Sequence, residues 1–183
     1  GGGVLRSITI TPSKGKLSSK EKCNLLYNDP YPFYKDYPAL KTYKFTGDDP
    51  TKGITIQGKP LSSFRKIMKD SLGATLPKVG YGVARKLFES VQIIADEALK
   101  IDLKITINSH YRGPVYNCSI GGVENSMHKT GGAMDMGTNN PRKLRKLILK
   151  LIKEKKIPEG GVGLYSSFVH YDVRGTKARW VKK

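Results

Sequence analysis

The chain reads Ser126-Met127-His128-Lys129-Thr130-Gly131-Gly132-Ala133-Met134-Asp135 in its C-terminal half. Two glycines and an alanine separate His128 from Asp135, so backbone can pass close to a bound group with no side chain in the way. Ala133-Met134-Asp135-Met136 then reads as a short strand, with Ala133 and Asp135 on one face. A loop imidazole and a strand carboxylate placed in this way can converge on one metal ion. One nitrogen and one oxygen ligand leave room for a third protein ligand and a water, the pattern of a catalytic rather than a structural zinc.

The third ligand is expected downstream. Tyr165-Ser166-Ser167-Phe168-Val169-His170-Tyr171-Asp172-Val173-Arg174-Gly175 alternates Phe168, His170 and Asp172 onto one strand face, with Val169 and Tyr171 on the other. Asp172 therefore falls beside the expected ion. The chain has only three histidines, His110, His128 and His170, and each lies in a segment dense in Gly, Ser, Arg or Asp. A lone histidine is more often structural than a ligand; these surroundings favour the ligand for His128 and His170.

The fixed residues Ser126, His128, Gly131, Ala133 and Asp135 match the pattern S-x-H-x-x-G-x-A-x-D. Ser109-His110-Tyr111-Arg112 is similar to an S-x-Y-R element, and Phe168 to Gly175 with Ala178-Arg179-Trp180 is similar to an F-V-H-x-D-x-R-G…A-R-W ending. Together these resemble the M15 family of zinc peptidases: D-alanyl-D-alanine carboxypeptidases and dipeptidases, and phage endolysins that cut L-alanyl-D-glutamate bonds. The resemblance covers roughly residues 58 to 181 and is nearest to the subgroup found in phage and bacterial cell-wall hydrolases. It implies the zinc D,D-peptidase (hedgehog-like) architecture and one zinc ion held by His128, Asp135 and His170. Arg112 would hold the substrate carbonyl or carboxylate, a task suited to its fixed fork of donors. Ser126, Tyr111 and His110 are lesser candidates for substrate contact. Many members carry the catalytic Glu or Asp three residues before the last histidine, where this chain has Ser167. Asp172 is the expected substitute as base, with orientation of His170 or pairing with Arg174 as its alternative role.

Outward from this centre the periodicity predicts an α+β domain, a small antiparallel sheet with helices on one side. Helices are expected from Ser62 or Ser63 through Phe64, Ile67, Met68 and Leu72, from Val83 to Leu99, and over 142–156. Leu103 to Ile107 should be a strand, and Val162–Tyr165 with Phe168–Val173 a terminal hairpin. Residues 55–183 are assigned to the peptidase domain and 1–54 to an N-terminal arm. In the arm, Val4–Thr11 reads as a strand, and Tyr27 to Pro50 holds four prolines and five tyrosines, an extended segment that packs on the domain or docks to another chain. Cys23 and Cys118 show no C-x-x-C spacing; a single disulfide and two separate thiols are both open.

At 183 residues the chain suits one domain with an extension. No segment approaches the roughly 20 apolar residues of a membrane span, and no signal peptide is visible after Gly1-Gly2-Gly3, which reads as a tag scar or a processed end. A net charge of +18 implies a polyanionic partner. Lysine dominates and aromatic–basic interleaving is sparse outside the tyrosine-rich arm, which favours anionic cell-wall polymers over specific nucleic-acid recognition. The uniformly basic face of helix 142–156 is the best candidate contact. The expected activity is a zinc peptidase on peptidoglycan, a carboxypeptidase or an endolysin-type endopeptidase, acting outside the cell, in the periplasm or on a virion. Residues 1–54 would offer a docking segment for virion or tail proteins. Two other readings are a non-catalytic zinc-binding module of the same fold and a basic nucleic-acid-binding protein.

Overall fold

The computed structural model describes residues 16, 18–24 and 36–182. The strand expected over Val4–Thr11 lies outside the described residues, as does the first part of the tyrosine-rich stretch, through residue 35.

Four α-helices, α1 (Ser19–Asn24), α2 (Tyr81–Leu99), α3 (Pro114–Ser119) and α4 (Pro141–Lys153), accompany seven strands among these residues. Strands β1 (Thr55–Ile56) and β2 (Lys59–Pro60) form a small hairpin. The main sheet has five strands, β3 (Ile105–Ser109), β4 (Ala133–Thr138), β5 (Gly161–Leu164), β6 (Phe168–Asp172) and β7 (Ala178–Val181). Their spatial order is β3-β4-β6-β5-β7, antiparallel except for the final β5–β7 pair. This is the α+β architecture that the periodicity predicts.

Helix α2 forms because Val83, Leu87, Val91, Ile94 and Ala98 recur at helical spacing, and all are buried. It ends where Asp102 takes a left-handed φ of 60° and the Leu103 N–H reaches back to the Ala98 carbonyl. Helix α4 starts on Asn140, whose side chain accepts the Lys143 N–H, with Pro141 in its first turn. It buries Leu144, Ile148, Leu151 and Ile152 and leaves Arg142, Lys143, Lys146, Lys150 and Lys153 exposed, with Arg145 half-buried. Both helices pack on the sheet and on each other. On β6, Tyr171 is fully buried, meets Ser90 of α2 and donates its hydroxyl to the Pro158 carbonyl, while His170 and Asp172 point to the opposite face. The core therefore lies on one side of the sheet and the functional residues on the other.

The expected helix through Phe64 to Leu72 is not formed. Leu61–Ser63 makes a single 3-10 turn, after which the chain bends. Side chains capture the amides a helix would need: Asp70 Oδ1 accepts the N–H groups of Leu72 and Ala74, and His110 Nδ1 accepts that of Met68, which sits at φ 63°. Leu72, expected on the apolar face of that helix, is 54% exposed.

Residues 36–54 pack into the same core. Leu40 is buried, and the Tyr43 hydroxyl donates to the Val173 carbonyl. A disulfide joins Cys23 of α1 to Cys118 of α3, which settles the pairing that spacing left open.

Candidate active site

Strand register assembles most of the site. Ser109 pairs with Asp135, Asp135 with His170, His170 with Gly163, and Gly163 with Trp180, so one row of residues crosses all five strands. Asp135 and His170 are direct cross-strand neighbours. His128 arrives from outside the sheet, in the 3-10 turn Met127–Thr130. Ser126 Oγ accepts its backbone N–H at 3.3 Å, and Gly131 closes the turn at φ 79°, a conformation that favours glycine. The Arg112 N–H donates to the His128 carbonyl and fixes the two loops together.

The ligand-type atoms of His128, Asp135 and His170 lie within 4.8 Å of one another, and all three residues are buried. His128 Nδ1–H donates to the His110 carbonyl at 2.6 Å, so the lone pair is on Nε2. That atom is buried with no hydrogen-bond partner; Asp135 Oδ1 lies 3.2 Å away, and a bare imidazole nitrogen cannot donate to it. An orphaned imidazole lone pair aimed at a carboxylate oxygen is chemically awkward unless a cation lies between them. His170 Nδ1 faces the same oxygen at 3.1 Å, and on the far side of the ring Nε2–H donates to Asp172 Oδ2 at 2.7 Å. Two nitrogens and one carboxylate oxygen therefore converge on one point, a donor set that suits zinc.

Electrostatics follow this arrangement. Burial lowers the His128 pKa, with Asp135 pulling the other way. Burial also acts to lower His170, but hydrogen bonds to Asp135 and Asp172 outweigh it and push the ring up to about 9. Burial raises both carboxyls, yet the imidazoles beside Asp135, and His170 with Arg174 beside Asp172, hold them below the ordinary range.

Asp172 is fully buried and both its oxygens are engaged. Oδ1 accepts from the Gly161 and Arg174 amides and from Arg174 Nε; Oδ2 accepts from Arg174 Nη2 and His170 Nε2. Of its two expected roles, this geometry matches that of a group orienting His170. Two glycines make room around His170, one for Asp172 and one for Trp180. A Cβ on Gly161 would strike the Asp172 carboxylate, and one on Gly163 would strike the Trp180 indole, whose ring centre lies 5.0 Å from that of His170. The spacing Gly161-x-Gly163 beside a histidine strand was the available sequence signal for these two, and for Trp180.

The site opens into a cleft of about 330 Å³, lined on its walls by Arg112, Ser126, Val123, Tyr165, Trp180 and Lys182. Arg112 lies on the cleft wall, and its Nη2 donates to Asp135 Oδ2 at 3.3 Å. The other two substrate candidates lie elsewhere. His110 is fully buried, its Nε2–H donates to the Gly131 carbonyl and its Nδ1 is occupied by Met68; burial lowers its pKa to about 3. It is a neutral brace that packs tilted against the Phe88 ring and joins the core to the His128 loop. Tyr111 lines a separate hollow of about 310 Å³ beside Asp70 and Pro114, and burial raises its hydroxyl to about 12.

The family model described as Peptidase M15 matches residues 66–172, more than half of the chain and the span that holds Arg112, His128, Asp135, His170 and Asp172. No curated protein and no solved structure matches it. With this match and the convergence of His128, Asp135 and His170, the chain belongs to the peptidase M15 family.

Proposed function

We propose that the protein is a zinc-dependent peptidase that cleaves peptide bonds in the stem peptides of bacterial cell wall. The observation that carries this reading is the buried, unpartnered Nε2 of His128 facing Asp135 Oδ1, with His170 Nδ1 against the same oxygen. His128, Asp135 and His170 would hold the ion, which when bound supplies a Lewis acid for the scissile carbonyl and an activated water.

The chain's own residues do the rest. Asp172, locked by Arg174 and the Gly161 amide, keeps a proton on His170 Nε2 and so keeps Nδ1 available as a ligand atom. Arg112, on the cleft wall, presents the donors that fit a substrate carboxylate or a developing oxyanion. Tyr165 accepts the Trp180 Nε1–H at 3.0 Å, which leaves its own hydroxyl proton to donate to substrate. Arg112 and Lys182 on the walls favour an acidic peptide. The Cys23–Cys118 disulfide supports work in an oxidising setting: outside the cell, in the periplasm or on a virion.

The test is digestion of purified peptidoglycan by zinc-loaded protein, with and without a chelator, reading new amino termini by mass spectrometry. Chelator-sensitive release of peptides is expected. If no fragment is released from several wall chemotypes, the reading fails. A non-catalytic zinc module of the same fold then takes its place, a reading favoured by one observation: among the described residues lining the cleft, Asp135 is the sole carboxylate.

A further inference from the structure

Seven exposed cations lie on one helix and its exit: Arg142, Lys143, Lys146, Lys150 and Lys153 on α4, and Lys155 and Lys156 in the turn after it. Two acids lie among them: Glu154, within reach of Lys150 and Lys156, and Glu97 of α2, whose carboxyl pKa is lowered chiefly by a hydrogen bond from Lys100 and in part by the same two lysines. Like charges recur at helical neighbour spacing, Arg142 to Lys146 and Lys146 to Lys150, which destabilises a helix unless an anion lies alongside. Four residues along a helix rise about 6 Å, so these cations form a regular row. The row ends at a hollow of about 430 Å³ where Lys86 of α2 joins Lys155 and Lys156; Glu159, which also lines it, is paired with Arg179.

This surface is remote from the chemistry. Helix α4 covers the sheet face that buries Val169 and Tyr171, whereas His170 and Asp172 point the opposite way. We infer that the α4 face and the Lys86–Lys155–Lys156 hollow form a second binding site, for a flexible linear poly(phosphodiester) of the wall-polymer type. A chain held there leaves the cleft open to the stem peptide. Residues 141–157 contain no aromatic side chain on which a base could stack and only two arginines to read base edges, so a repeating phosphate backbone fits better than nucleic acid. The inference extends the wall-peptidase reading, but its test uses no turnover, so either can fail without the other.

The probe is fluorescently labelled poly(glycerol phosphate), titrated by anisotropy across a range of salt. One variant carries Lys146→Gln, Lys150→Gln, Lys153→Gln and Lys155→Gln; glutamine keeps helix propensity close to that of lysine. The control removes the same charge elsewhere, at the exposed Lys41, Lys52, Lys59 and Lys78. The α4 variant should bind at least about tenfold more weakly, with a log–log salt slope about 3 smaller, at roughly 0.7 per lost contact. The control should stay within about twofold of the parent, since diffuse surface charge is screened over a Debye length of roughly 10 Å. Equal losses in both variants, or none in either, overturn the site. So does an oligothymidylate of equal charge that binds at least tenfold tighter than the wall polymer through the same face. Circular dichroism on both variants confirms that the helices are intact.

Discussion

Replacing Asp172 with asparagine separates the two roles this carboxylate can play. Its oxygens accept five hydrogen bonds, three on Oδ1 and two on Oδ2. An asparagine whose oxygen sits at the Oδ1 position keeps the first three. Its amide then meets His170 Nε2–H and Arg174 Nη2 donor to donor. Two charge-assisted bonds are lost at a fully buried site, about 3–5 kcal/mol of stability. Relief comes if His170 moves its proton from Nε2 to Nδ1, but that blocks the nitrogen aimed at Asp135. Zinc affinity should therefore fall by about 10- to 100-fold, as for other groups that orient a ligand histidine. Chelator-competition titration gives the affinity, and turnover on a soluble stem peptide at saturating zinc gives kcat, which should recover to within about tenfold of the parent. A general base contributes about 10²- to 10⁴-fold. Unchanged zinc affinity together with a kcat loss in that range would refute the orienting role and make Asp172 the base.

Because His170 is held up to about 9 in the metal-free protein, against an ordinary 6.5, its proton stabilises the apo fold fully below about pH 6.5. That stabilisation is lost as pH rises through 9; zinc competes with the same proton, so apparent affinity should rise about tenfold per unit between pH 7 and 9, and a flat profile would contradict the His170 assignment. Gly163→Ala forces the single tryptophan, Trp180, off its place beside His170, at a cost of about 1–3 kcal/mol in packing. Zinc should alter Trp180 emission in the parent and leave it nearly unchanged in the variant, as read by fluorescence titration. Reduction of Cys23–Cys118 opens a cross-link of sequence separation 95, for which chain entropy gives about 4–5 kcal/mol. At about 2–4 °C per kcal/mol for a chain of this size, Tm in reductant should drop by roughly 10 °C or more, and an unchanged melting curve would show that the link does not constrain the unfolded chain.

The helices α2 and α4 were legible because their apolar spacing agrees with what tertiary packing rewards, and β4 and β6 because alternation does the same with period two. The segment from Phe64 to Leu72 was not. Its apolar spacing mimics a helix, but the groups that defeat it are the side chains of Asp70 and His110, the latter some 40 residues away in sequence. Strand β7 escaped for a related reason. It pairs in parallel with β5, and a parallel partner leaves no hairpin turn between the strands to mark it. His110 looked like a candidate for chemistry from its neighbours Ser109 and Arg112. Whether an imidazole faces a cleft or a core depends on the backbone groups that claim its nitrogens, here the Gly131 carbonyl and the Met68 amide.

The ligand set itself depends on two different kinds of constraint. Asp135 and His170 are opposed across β4 and β6, and a slip of one residue in that pairing would send one of them into the core with Val169 and Tyr171. Register is thus pinned by the same hydrophobic alternation that forms the sheet, so any change that keeps the core keeps these two ligands together. His128 has no such protection. Its position rests on a backbone bond from Arg112, the Ser126 Oγ that accepts its own N–H, a ring bond to the His110 carbonyl, and a left-handed glycine at 131. The local motif is therefore strictest around His128, with glycines and a serine at fixed offsets. Around His170 the sheet already fixes the backbone, and the flanking residues Asp172 and Arg174 are free to set the proton on the ring.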